Sequence, residues 1–241
     1  MVTRKLNEKK SILVKNVYGC TNFGGLDILG NMMFTIKTRP DNQLSTISVY
    51  PNFKKTKRYN YKYAGCMYHG NDLTYNNGLL YVAPCDNFVE VVNTGDWSHY
   101  RLYSDIHVSA IAHYQANQFI VLCGNGGNFY QLAIMEPRGN KMEALSIWNV
   151  NNPKSPLFTI SQGMTFNKRN GKIYVVFTKN DKHRNVILVS GVGVPDPELC
   201  LTSKKSSGKY ELEGVAVNSA GKLVIGSNLP SGKDATFIAS A

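Results

Sequence analysis

Three carboxylates, Asp27, Asp72 and Glu213, stand in short apolar stretches of similar make-up, Gly25-Leu26-Asp27-Ile28, Asn71-Asp72-Leu73-Thr74 and Glu213-Gly214-Val215-Ala216. Glycoside cleavage needs one carboxyl group as acid and a second as base or nucleophile at a defined separation, so this trio is the candidate catalytic set. Around them lie His69, Asn71, Gln162 and Glu211, which with Asp72 and Glu213 make a candidate ligand-binding set of amides, carboxylates and one imidazole. Asn71, Asp72, Gln162 and Glu213 also offer the oxygen donors that calcium accepts in flexible geometry. A different chemistry is written in Lys54-Lys55-Thr56-Lys57-Arg58-Tyr59-Asn60-Tyr61-Lys62-Tyr63. On a strand, Tyr59, Tyr61 and Tyr63 share one face while Arg58 and Lys62 share the other. That arrangement suits stacked bases or sugars with phosphates alongside, or equally an outermost strand that guards its edge with lysines.

The elements that must position these residues are hairpins. Leu73 and Tyr75 alternate on a strand, Asn76-Asn77-Gly78 supplies an Asn-Gly turn, and Leu79-Leu80-Tyr81-Val82-Ala83 returns. Asn-Gly is the signal of a type I′ hairpin, because both central residues take positive φ. Related hairpins turn at Gly30-Asn31, at 115–118, at Gly171 and at Gly221. Each but the last is followed by two more strand candidates, and the pattern returns every 40 to 50 residues or so, the period of a four-stranded propeller blade. Only three strands are visible in the last unit. Ile12 to Tyr18, a strand candidate without a hairpin partner, is expected to complete it and so close the ring, removing open sheet edges.

The strings HGNDLTYNNGLLYVA, GMTFNKRNGKIYVVF and LEGVAVNSAGKLVIG resemble the general class of β-propeller proteins over about four fifths of the chain. The expectation is an all-β fold: a single five-bladed propeller over residues 11–241, of four-stranded blades, after a basic segment at 1–10. A β-sandwich or barrel is the competing arrangement. In a propeller the first strand of each blade faces the axis. Leu26, Asn71, Ala110, Gln162 and Glu213 would then converge there, with His69 and Glu211 two residues upstream. The calcium set looks like the channel metal of lactonase-type propellers, which have six blades, and five-bladed glycosidases also use acidic residues on inner strands.

Composition narrows the function class without choosing within it. The formal charge of +11 favours an anionic partner, such as nucleic acid or an acidic polymer. The five cysteines are far apart and form no CxxC pair, and the five histidines show no metal-helix spacing. No apolar run approaches a membrane span and the first ten residues are too polar for a signal peptide, so a cytoplasmic protein is expected. The reading is a non-enzymatic binding module without a cofactor, taking an anionic or glycan ligand or a protein partner at the channel mouth or basic flank. A glycosidase or other hydrolase using the inner-strand carboxylates is the alternative.

Overall fold

The computed structural model describes residues 1–14, 16, 18–52, 59–64, 69–155, 157–179, 184–203, 211–228 and 234–240, with only the backbone of 10–13, 59–64, 125–126, 235, 237 and 240. All regular structure among them is β, and no helix there is long and apolar enough to cross a membrane. The chain opens with β1 (Val2–Lys5) and β2 (Asn7–Leu13). A four-stranded meander follows: β3 (Asn22–Leu29), β4 (Met32–Thr38), β5 (Leu44–Pro51) and β6 (Tyr59–Ala64).

Next come β7 (Asp72–Asn76), β8 (Leu79–Ala83), β9 (Asp86–Asn93) and β10 (His99–Val108), then β11 (Ala110–Gln115), β12 (Gln118–Gly126), β13 (Phe129–Arg138) and β14 (Lys141–Asn151). These eight form one sheet only through a parallel bridge between Tyr103 and Lys141; each half is itself an antiparallel meander. The chain continues through β15 (Ile160–Asn167), β16 (Lys172–Thr178), β17 (Asn185–Gly191) and β18 (Leu199–Thr202). Last are β19 (Glu211–Val217), β20 (Leu223–Asn228) and β21 (Ala235–Ser240). Asn77 and Gly78 both have positive φ, 47° and 85°, as the Asn-Gly turn requires.

Packing turns the meanders into a propeller. Strand residues buried on both faces read as continuous apolar runs, because successive side chains point to opposite sides. On β12, Phe119 and Val121 enter one core and Ile120 and Leu122 the next; on β16, Ile173, Val175 and Phe177 separate from Tyr174 and Val176 in the same way. The inner strands close a cycle of contacts, β3 to β7, β7 to β11, β11 to β15, β15 to β19 and β19 to β3. Adjacent meanders are also tied by polar bonds of a repeated design. Thr38 Oγ1 bonds Ser45 Oγ and accepts from Gly70 N, while Thr178 Oγ1 bonds Asn185 Oδ1, which accepts from Leu212 N.

Closure differs in register from the sequence expectation. The strand that completes the last meander, pairing with β21, is Asn7–Leu13 rather than Ile12–Tyr18. Val2–Lys5, within the basic segment read at 1–10, stays exposed but forms a strand that pairs in parallel with Leu199–Thr202. Leu6 between them is fully buried, which explains the shift: one apolar anchor seats a polar segment that hydropathy alone reads as loose.

Candidate functional site

Where the inner strands begin, Asn22, Phe23, His69, Asn71, Ile160, Ser161, Gln162, Glu211, Glu213 and Asn228 line a pocket of about 320 Å³. Glu211 and Glu213 are two apart on β19 and both reach it, each held by an amide side chain. Gln162 Nε2 donates to Glu211 Oε1 at 3.2 Å and Asn228 Nδ2 donates to Glu213 Oε1 at 2.6 Å. Asn228 also accepts from Phe23 N through Oδ1 at 2.7 Å, so it ties β20 to β3 across the last seam. Asn71 Nδ2 donates to Ser109 O. His69 bonds Asn42 through Nδ1 at 3.1 Å; burial lowers its pKa below the ordinary imidazole value against a raising bond with Asn71, which favours the neutral ring. The surround is acidic and rich in amides, with one aromatic wall at Phe23.

The pocket's floor is built by glycine. Inner strands carry register shifts between Phe23 and Leu26, Ser161 and Met164, and Leu212 and Gly214. At these bulges the backbones approach so closely that a Cβ on Gly163 would lie 2.7 Å from Glu213 O and 2.9 Å from the Gly214 Cα. A Cβ on Gly25 would lie 2.6 Å from the Asp72 Cα. The space is taken by the Asp72 carboxyl, fully buried, whose Oδ2 accepts from Ile111 N at 3.1 Å and Met164 N at 3.0 Å. Its burial drives its pKa well above the ordinary aspartate value, the two backbone bonds to Oδ2 notwithstanding.

Beyond that plug, at the other end of the axis, a second pocket of about 290 Å³ is lined by Asp27, Ile28, Leu29, Thr74, Tyr75, His113, Thr165, Phe166, Asn167, Lys168, Arg169, Val217 and Asn218. Asp27 accepts from Ile28 N, Thr74 Oγ1 and Tyr75 N at 2.7 to 2.9 Å, and burial raises its pKa.

Of the residues singled out from sequence, His69, Asn71, Gln162, Glu211 and Glu213 therefore come together. The carboxylate trio does not: Glu213 lines one pocket, Asp27 the other, and Asp72 is sealed between them. Asp72 is thereby also removed from the calcium set, and among the described residues no group of three His, Cys, Asp or Glu is placed to hold a metal ion. Leu26 and Ala110, aligned with the axis in sequence, are core residues. Lys54 to Arg58 lie outside the described residues. Of Tyr59, Tyr61 and Lys62 only the backbone is described, in the edge strand β6. Asn22, Phe23 and Asn228 were missed. Aligning the bulge glycines, Gly25, Gly163 and Gly214, would have found Asn22, which stands three residues before its glycine as Glu211 does.

No family model matches the chain, and no match was found among curated proteins. Solved structures do resemble it. The glutaminyl cyclase of Myxococcus xanthus superposes with a TM-score of 0.70 at 12% identity, covering 99% of this chain and 97% of that one. A Bacteroides thetaiotaomicron protein of unknown function gives 0.54 at 11% identity, covering 98% and 76%. A chain of a nidogen–laminin complex gives 0.51 at 10%, covering 88% and 78%. At such identities the likeness is one of fold, and the fold is that of a β-propeller.

Proposed function

We propose that this chain is a single-domain, five-bladed propeller, the eight-stranded sheet counting as two blades, and that it acts as a ligand-binding scaffold through the pocket at the start of its inner strands. The observation that carries the reading is the pair Glu211 and Glu213, converging with amides from four other strands or loops, Asn22, Asn71, Gln162 and Asn228, on one concave space. Two carboxylates argue against an anion at this mouth and for a cationic group flanked by amides, the chemistry of a peptide's free amino terminus. Titrating short peptides that begin with a free amine, and the same peptides acetylated, tests it calorimetrically. Acetylation should weaken binding about tenfold or more, as should Glu211→Gln or Glu213→Gln, since each removes a charge-assisted bond. Equal affinity of free and acetylated peptides would rule the reading out.

A second reading is catalysis in the same pocket, favoured by the superposition on a glutaminyl cyclase along nearly the full length of both chains. Release of ammonia from a peptide with amino-terminal glutamine, abolished by Glu213→Gln, would establish it; binding without ammonia release would leave the scaffold reading alone.

A further inference from the structure

The pocket at the opposite end of the axis has the reverse electrostatics, and nothing in the peptide-binding reading uses it. Lys168 and Arg169 follow β15 and are exposed on its turn at the pocket wall. Neither has a carboxylate within ion-pair distance among the described residues. Lys168 Nζ donates to His113 Nδ1 at 3.1 Å, and Arg169 donates to the Ser219 carbonyl. His113 Nε2 lies 3.0 Å from Ala116 O and donates to it, which leaves Nδ1 as acceptor and the imidazole neutral. The one carboxylate in the wall, Asp27, already accepts three hydrogen bonds from its own neighbours. The cations thus keep most of their donors for something else.

The rest of the wall is aromatic and held in place. Tyr75 is half-buried and stacked on Phe34, with centroids 5.4 Å apart and planes 8° apart. Phe166, also half-buried, meets Tyr114 edge-on at 5.0 Å. Flat rings whose orientation is fixed by packing cost little side-chain entropy when a ligand stacks on them.

We propose that this pocket binds a mononucleotide-like ligand, one phosphate on a flat ring, with Lys168 and Arg169 taking the phosphate and Tyr75 and Phe166 the ring. The phosphate would find two cations of different geometry, the guanidinium fork and a point-charge ammonium.

The test is independent of peptide binding at the acidic mouth. Adenosine monophosphate, adenosine and inorganic phosphate are titrated separately into the full chain. Adenosine monophosphate should bind saturably, and adenosine and phosphate each at least tenfold more weakly. Lys168→Ala and Arg169→Ala should each weaken it about 10- to 100-fold. Lys172→Ala, which removes a surface lysine paired with Glu198 outside the pocket, should change nothing. Absence of saturable binding, equal binding of adenosine or of phosphate, or indifference to both pocket variants would each overturn the proposal. An unchanged melting temperature in Lys168→Ala and Arg169→Ala shows that the variants are folded.

Discussion

Asp72 stands where three inner strands meet, and its two oxygens are in different situations. Oδ2 ties the amides of Ile111 and Met164, on two neighbouring strands, to β7; Oδ1 accepts no hydrogen bond among the described residues. A buried carboxyl in this position favours its neutral form, and the glycines at 25 and 163 exist to make room for it. The sign of the linkage follows: a folded-state pKa above the unfolded value gives stability that is full below about pH 4 and declines as pH rises through the folded value. Asp72→Asn should therefore flatten the fall in melting temperature between about pH 4 and 7, with Asp27 supplying what slope remains. Asp72→Ala orphans two amide donors and should cost roughly 1–3 kcal/mol for each. Denaturant titrations at several pH values check both; an Asn variant with the wild-type pH profile would show that Asp72 is ionised in its site.

Among the elements, hairpins and their apolar faces were legible from sequence because turn chemistry is local: Asn77-Gly78 needs no tertiary partner to favour its φ angles. The bulges were not legible. Whether Gly163 is a loose point or a point of contact depends on Glu213 and Gly214 of another meander, and no period of β15 or β19 reveals it. The same holds for Lys37, which looks like an ordinary strand lysine in sequence yet is 2% exposed on β4, paired with Asp234 (0% exposed) and bonded to Asn16. Its burial outweighs the carboxylate beside it and lowers its pKa. Lys37→Met should destabilise by about 3–5 kcal/mol, since it strips a buried carboxylate of its cation. Gly163→Ala presses a methyl on backbone atoms that cannot step aside and should cost about 1–3 kcal/mol. By separating β15 from β19 it should also disturb the Glu211–Gln162 contact, so peptide affinity should fall along with stability.

At the scale of the molecule, two ends of one axis carry opposite charge, separated by the Asp72 plug, and the ring that holds them apart is closed by the amino-terminal strands. β1 lies on β18 and β2 on β21, so residues 2–13 span the seam between two neighbouring meanders before the chain enters β3. The two strands are not equivalent. β1 is short and exposed throughout, whereas Leu6 is buried with Val176, Ile187, Leu212 and Ile225 in the core between those meanders, and β2 covers the outer edge of β21. Deleting residues 1–5 should therefore lower the melting temperature only modestly and leave the protein monodisperse. Deleting residues 1–13 removes the Leu6 anchor, which alone is worth about 2–5 kcal/mol on the scale of large-to-small core changes, and bares the β21 edge. That truncation should lose cooperative melting and aggregate on size-exclusion chromatography. If it melts as sharply as the full chain, ring closure does not depend on the strap, and the packing of β19 on β3 with the Asn228 bridge is sufficient to hold the last seam.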